Sequence, residues 1–305
     1  MVRFLVRRLL HGLVVLWVVA TATFGLLRVL PGGPFDRDRR LPPEVMANIE
    51  AKYHLDEPLI KQYGRYVTGI LRGDLGPSYK YINRNVGDII LDTLPTSIVL
   101  GLLALLSALV VSFPLGTIAA KYHNAWIDRL CVFLATAGIS LPNFVLGALL
   151  IWLFSLQLGW FQAARWGGPG SAVLPAITLG AMPCAQLTYL LRSSLLETLG
   201  EDFIRTARAK GLKEFRVLFK HAVRNSLIPV LTLLGPLLAS LVAGSFVVEY
   251  VFAIPGMGRF FLTAVTDRDY PLIMGTTLVY TAILVAANLL VDILYSVVDP
   301  RMRAR

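Results

Sequence analysis

"RTARAKGLKEFRVLFKHAVRNSLIP", running from Arg205 to Pro229, carries eight Lys, Arg or His residues, yet it lies between two stretches apolar enough to cross a membrane. Loops on the cytoplasmic side of a membrane collect Lys and Arg in any case, and a basic amphipathic helix can simply lie on anionic lipid. The residues also permit a third reading, a docking element for a protein partner. From Leu212 onward, Leu212, Phe215, Phe219 and Ala222 share one helical face while Lys213, Arg216, Lys220 and Arg224 share another. The spacing predicts an amphipathic helix of about three turns. Before it, Glu201 to Lys210 predicts a short helix, and Gly211 stands at the joint, where glycine's tolerance of positive φ ends a helix most easily. A lipid-lying helix accounts for the basic face, whereas a bent, rigid knob accounts for the basic face and the glycine joint. On the residues alone both readings stay open.

Composition narrows the class. Of 305 residues, 56% are hydrophobic and only 16% charged, with a mean hydropathy of +0.66, so a polar shell around a soluble core is not credible and the chain is read as an integral membrane protein. A net charge of +10 would suggest nucleic acid in a soluble chain. Here the bias of membrane loops explains it, and no zinc-finger spacing or recognition-helix pattern competes, so no nucleic-acid partner is expected. Cys131 and Cys184 each sit inside an apolar segment and read as small core residues. His11, His54, His123 and His221 are scattered without paired-ligand spacing, so neither a metal site nor a catalytic set is expected.

Nearly uncharged runs at 9–30, 96–120, 130–156, 172–191, 227–251 and 272–298 each supply the roughly 20 residues that a helix needs to cross a bilayer. The expected fold class is therefore all-α and polytopic, with six transmembrane helices and both termini on one side. Lys and Arg decide which side: the termini and the 121–129 and 192–226 loops carry 16, against 3 in the two short loops of the other face. Both ends are expected in the cytoplasm. The first run mimics a signal peptide, with Arg3, Arg7 and Arg8 ahead of it and Ala20-Thr21-Ala22 resembling a cleavage site, but it continues through Leu30 and reads as a retained span. Arg28 can snorkel to the interface.

Three regions follow: residues 1–30 (tail and first span), an extracytoplasmic helical loop at 31–95, and a five-helix core at 96–305 that includes the 192–226 loop. The long loop balances nine basic residues with nine acids. Helix starts at Pro42-Pro43 and Glu57-Pro58, ahead of the breaker "GDLGPS" at Gly73 to Ser78, make it a small folded subdomain.

"DFIRTARAKGL" and "HAVRNSLIP" resemble the cytoplasmic coupling loop of ABC importer permeases of the peptide-transporter branch. "LPGGPF", "LPPEVMANIEAKYHLDEPLIKQY", "GDLGPS", "VVEYVFAIPGMGRFF", "DRDYP" and "VDILYSVVDPR", in that order, are similar to the B-type permease subunit of bacterial oligopeptide importers. The resemblance spans nearly the whole chain. It departs from the broader importer pattern at Arg205-Thr206-Ala207, where Glu-Ala-Ala is common, and at Arg224, where many importers place proline. It implies a type I importer architecture in a bacterial inner membrane. It also implies a heterodimer with a second permease subunit, two cytoplasmic ATPase subunits that hold ATP and Mg, an extracytoplasmic peptide-binding protein and a peptide substrate. No GxxxxGK[ST] loop occurs in this chain, so it needs no cofactor of its own and is expected to be no enzyme.

On that resemblance Arg205, Thr206, Ala207, Arg208, Ala209, Lys210, Gly211, Leu212, His221, Arg224 and Asn225 form the coupling loop. Gly73, Asp74, Leu75, Gly76, Glu249, Pro255, Gly256, Gly258, Asp269 and Tyr270 are candidates for the outer gate or the binding-protein contact, although Glu249 also suits an anchoring role. Small and hydroxyl residues, Ser140, Asn143, Ser240, Ala243 and Ser245, are candidates for the translocation path. Asp292, one turn from Asn288, reads as a bond between helices. The alternatives are an ion-driven carrier or channel, and the same architecture carrying dipeptides, glutathione or nickel chelates. An ion-coupled relay of acidic or histidine residues is not visible within the spans.

Overall fold

Backbone amides in hydrocarbon find no water, so a spanning segment has to satisfy them within itself. The computed structural model describes residues 2–31, 33–35, 42–168, 170–243 and 245–298, and every regular element among them is helical. In chain order these are α1 (Val2–Val29), α2 (Pro43–Lys52), α3 (Leu59–Leu71), α4 (Val86–Lys121), α5 (Trp126–Ser140) and α6 (Asn143–Leu150), the last prolonged by π-helical Ile151–Gln157. Then come α7 (Val173–Gly200), α8 (Asp202–Ala209) and α9 (Glu214–Arg216), which runs through π-helical Val217–Val223 into α10 (Arg224–Ala243). The last three are α11 (Phe246–Val251), α12 (Met257–Asp267) and α13 (Tyr270–Val298).

Five helical runs are long and apolar enough to cross a membrane, and α5 with α6 makes a sixth only as a pair bent by 107°. The straight third span expected over 130–156 is thus a broken one. Its cause is local: Pro142 forces Leu141 into the extended region (φ −105°, ψ 132°), and the Pro142 carbonyl then starts α6 by accepting from Val145 and Leu146 at 2.9 and 3.0 Å. The fifth span also stops short of Val251, since α10 ends at Ala243 and α11 is a separate helix. The side chains of Ala243 and Asp292, together with Gly244 and residues 299–305, lie outside the described residues. Prolines at 43 and 58 open α2 and α3 as their sequence signals predict.

The chain divides into two compact units. One comprises Met1–Thr96 with Pro255–Val285, the other Ser97–Ile254 with Ala286–Arg305. In the first, Phe24 and Leu27 of α1, Val86 and Ile89 of α4, Met257 of α12 and Leu272 of α13 form a single core. In the second, α7 is the central element, packed on α4 and α10 through Leu187, Leu191 and Leu195 and on α5 where Gly138 meets Ala181. Small residues set the closest approaches. A Cβ on Gly180 would stand 2.6 Å from the Ala104 carbonyl oxygen, a backbone atom that cannot swing aside, so α4 and α7 meet there without a side chain between them.

That contact is directly testable. Gly180→Ala is expected to cost about 1–3 kcal/mol through overpacking. Gly200→Ala, whose Cβ meets open space, should be neutral or stabilise slightly. Thermal unfolding of the two variants in the same detergent checks the contrast.

Candidate functional site

The basic segment folds as helix, glycine joint, helix. Gly211 adopts φ +76°, its N–H donates to Arg208 O at 2.9 Å, and Leu212 N–H donates to Ala207 O at 3.4 Å. This is a Schellman closure, in which the left-handed residue lets two orphan carbonyls of α8 find donors. Lys213 then turns extended, and its carbonyl accepts from Arg216 at 2.8 Å and Val217 at 3.1 Å to begin α9. Across the bend, Arg208 Nε reaches Glu214 Oε1 at 2.8 Å. That exposed pair adds little energy.

The knob is welded to the membrane helices. Ile204 and Ala207 of α8 and Val217, Leu218, Ala222 and Val223 beyond the joint are buried in one cluster with Leu191 and Leu195 of α7. Buried Ser226 adds a polar pin, its Oγ lying 2.9 Å from the Thr198 hydroxyl of α7. The buried stripe is not the one that a helix of uniform period would present. The expected apolar face of Leu212, Phe215, Phe219 and Ala222 splits: Leu212 and Ala222 pack inward, whereas Phe215 and Phe219 are 73% and 40% exposed and lie ring to ring at 4.6 Å. Leu212 lies ahead of the helix, which begins at Glu214, so its place does not follow the helical period, and the π-helical turns over Val217–Val223 shift Ala222 relative to Phe215. Arg205, Thr206, Arg208, Ala209, Lys210, Gly211, Arg224 and Asn225 are exposed, and His221 is half-buried. The exposed Phe pair on this basic surface is the feature that sequence periodicity missed.

A second feature had no sequence signal at all. Asp128, buried at the start of α5, takes a bidentate pair from Arg192 of α7, with Nε and Nη2 each at 2.7 Å. The Asn124 N–H donates to the same carboxylate at 2.9 Å, and His123 Nδ1 lies 3.1 Å from Arg192. Planar guanidinium and carboxylate match in two bonds, which holds the α7 segment leading to α8 in a fixed orientation.

Several predicted contact residues prove to be internal. Asp269, 0% exposed, accepts from the Ser78 hydroxyl, from the Tyr79 and Lys80 amides at 3.1 and 3.4 Å, and from Leu272 N–H at the start of α13. It clasps the 78–80 turn to α13 and is no surface contact. Burial also covers Tyr270, Gly256 and Gly258, while Pro255 is exposed. Glu249, likewise 0% exposed, lies in the other unit and accepts from Ser97 at 2.7 Å and from Ser245. Ser245 is therefore committed to Glu249 and offers no hydroxyl to a path. Gly73 and Gly76, at φ +76° and +81°, close α3 and turn the chain, with Asp74 exposed between them and half-buried Leu75 beside it.

Ser140 and Ser240 are exposed and donate to their own helices, to Thr136 O at 3.1 Å and Leu237 O at 2.8 Å. Asn143 is half-buried. No group of three or more His, Cys, Asp or Glu side chains is placed to hold a metal among the described residues. Cys131 and Cys184 are free thiols.

Comparison with known proteins places this geometry. Residues 112–304 match the family described as binding-protein-dependent transport system inner membrane component, and residues 1–101 match its N-terminal companion. The chain is 45% identical over 303 residues to a dipeptide transport system permease protein of Bacillus subtilis, covering 99% of this chain and 98% of that one. It is 42% identical to an oligopeptide transport system permease protein of Haemophilus influenzae, over 99% of this chain and 100% of the relative. The solved structure of the MetNI methionine ABC transporter shares the fold at a TM-score of 0.52 and 20% identity, covering 67% of this chain and 95% of that one.

The clasp generates a prediction. Asp269→Ala leaves a buried hydroxyl and several amides without an acceptor, and should destabilise the protein by about 2–4 kcal/mol. Ser78→Ala, which removes one donor and leaves the amides paired, should cost about 1 kcal/mol. Chemical unfolding followed by tryptophan fluorescence measures both.

Proposed function

The chain belongs to the family of binding-protein-dependent transport system inner membrane components, as a permease subunit of a peptide ABC importer, and from that premise we propose that the knob over 201–225 is where ATP-hydrolysing subunits drive it. It is a multi-pass inner-membrane protein and not itself an enzyme. The ion-driven carrier considered from the sequence falls with that membership. In this reading both termini and the knob face the cytoplasm, a second permease completes the translocation path, and ATP with Mg belongs to the partner subunits.

One observation carries the proposal: a bent pair of helices, fused to α7 and α10 by a common core, presents a cationic surface with two exposed aromatic rings. Rigid coupling needs that construction. A push on a loosely tethered helix would dissipate in the loop, whereas here it displaces Ile204, Val217 and the α7 leucines as one packed body. The Phe215–Phe219 pair suits the buried centre of a docking surface, ringed by Lys213, Arg216 and Lys220.

For cargo we propose oligopeptides accepted with little side-chain discrimination by this subunit. Both dipeptide and oligopeptide names occur among its relatives, and the candidate path residues are uncharged. An extracytoplasmic binding protein would set the choice, seated on the surface that includes Asp74 and Pro255.

Two measurements test the coupling. Gly211→Val, strained at φ +76° by about 1–2 kcal/mol, should leave membrane insertion intact while peptide uptake per ATP hydrolysed falls severalfold. The double variant Phe215→Ala/Phe219→Ala should bind the ATPase subunits about 30-fold more weakly or worse. Undiminished co-purification and uptake in both variants would place the coupling elsewhere. For the outer seat, Asp74→Lys should reduce stimulation of ATP hydrolysis by the binding protein without changing the basal rate.

A further inference from the structure

The bidentate pair of Asp128 and Arg192 has a third member whose chemistry the proposed coupling leaves unused. His123, in the turn between α4 and α5, places its Nδ1 3.1 Å from Arg192 Nη2 and 3.5 Å from Asp128 Oδ2. A guanidinium only donates, so the shorter contact is a hydrogen bond when Nδ1 offers a lone pair, in the neutral imidazole with its proton on Nε2. In that state Arg192 Nη2 serves two acceptors at once, Asp128 Oδ2 at 2.7 Å and His123 Nδ1.

Protonation reverses the arrangement. An imidazolium turns Nδ1 into a donor that faces another donor, and it sets two cations side by side. Its attraction goes to Asp128 Oδ2, the oxygen that already accepts from Arg192 Nη2 and from the Asn124 N–H at 2.9 Å. A further donor there competes with one bond of the bidentate pair, leaving Arg192 held chiefly by Nε at Asp128 Oδ1. Solvent protons reach the imidazole, since the His123 side chain is 45% exposed against 5% for Asp128. The groups that face it are Asp128 of α5 and Arg192 of α7, with Tyr189 next to Arg192 on the same helix. Arg129 and Lys121 are exposed, Lys121 with its Nζ over the Tyr122 ring at 5.0 Å. Among these side-chain types, only an imidazole ordinarily changes charge between about pH 5 and pH 8.

The place of Arg192 gives that proton a mechanical consequence. Leu191 beside it and Leu195 about one turn on are buried in one cluster with Ile204 and Val217 of the knob. Slackening the guanidinium therefore loosens the end of α7 on which the knob is packed.

We propose that His123 is a positioning residue for the coupling surface: neutral, it holds Arg192 and keeps the knob rigid, and charged, it loosens Arg192 and lowers the uptake obtained per ATP. The inference rests on the reading of the knob as the coupling surface, and adds to it a proton-sensitive control at the turn between α4 and α5.

The test uses the full importer complex in proteoliposomes, with ATP in the lumen on the side of the ATPase subunits. Binding protein and labelled trialanine are outside at constant pH, and the lumen is buffered at about pH 8 or about pH 5.5. Trialanine taken up per ATP hydrolysed should fall about threefold or more between the two for the wild type. His123→Gln, which keeps an acceptor for Arg192 and takes no proton, should hold the high-pH value at both. His123→Lys, charged at both, should give the low value at both. A wild-type ratio that ignores lumen pH would overturn the role of His123. So would an undiminished fall in His123→Gln, or full coupling by His123→Lys at the higher pH. Gly211→Val is measured in parallel at the higher pH. If it uncouples while His123→Gln keeps the fall, only the His123 assignment is lost; if it stays coupled, the knob reading fails and this inference with it.

Discussion

A backbone amide inside hydrocarbon has only its own chain to bond, and that constraint organises the rest of this protein. It makes helices obligatory, and it confines every bend to a place where local chemistry replaces the missing bonds. At Pro142 the proline both removes a donor and extends its predecessor, and its carbonyl restarts the helix at once. At Gly211 and Gly73 a left-handed residue lets the outgoing chain return its N–H groups to the helix just finished. The two surfaces proposed for partners lie at such breaks, because only there can a helix turn back and present its end.

Buried charge supplies the second level of order. Asp128, Glu249 and Asp269 are each withdrawn from solvent, and each is held by partners far away in sequence or by the helix start beside it. A lone carboxylate in such surroundings would cost several kcal/mol, so its partners are as necessary as the charge. These contacts act as braces. Asp128 with Arg192 orients the segment ahead of the knob, and Asp269 holds the 78–80 turn against the start of α13. The proposed coupling needs such bracing, since a displacement applied at one surface is delivered only through elements that do not yield.

Much of the candidate site was legible in the chain, and the reason differs residue by residue. Gly211 was readable because a left-handed joint favours glycine wherever the fold places it. The basic character of the knob was readable because charge needs no geometry to be counted. Phe215 and Phe219 were read on one apolar face with Leu212 and Ala222, and that periodicity records neither where the helix starts nor the π-helical turns at Val217–Val223, so it cannot say which of the four stay exposed. Asp269 was read only as an outer-face contact for a similar reason, whereas Glu249 also suited an anchoring role: sequence records that a carboxylate is present but not which hydroxyls and amides close over it.

By itself, then, the sequence determined the number of apolar runs, the helical class, the helix starts at Pro43 and Pro58 and the glycine joint of the knob, because hydropathy, proline and glycine act over a few residues and act alike in any context. Only the tertiary structure decided that the third run is a pair bent by 107°. It also decided which aromatic rings remain in the open and which carboxylates become braces. Those outcomes depend on which distant atoms arrive at 3 Å, and satisfying a buried polar group is a property of the assembled surroundings and not of the residue.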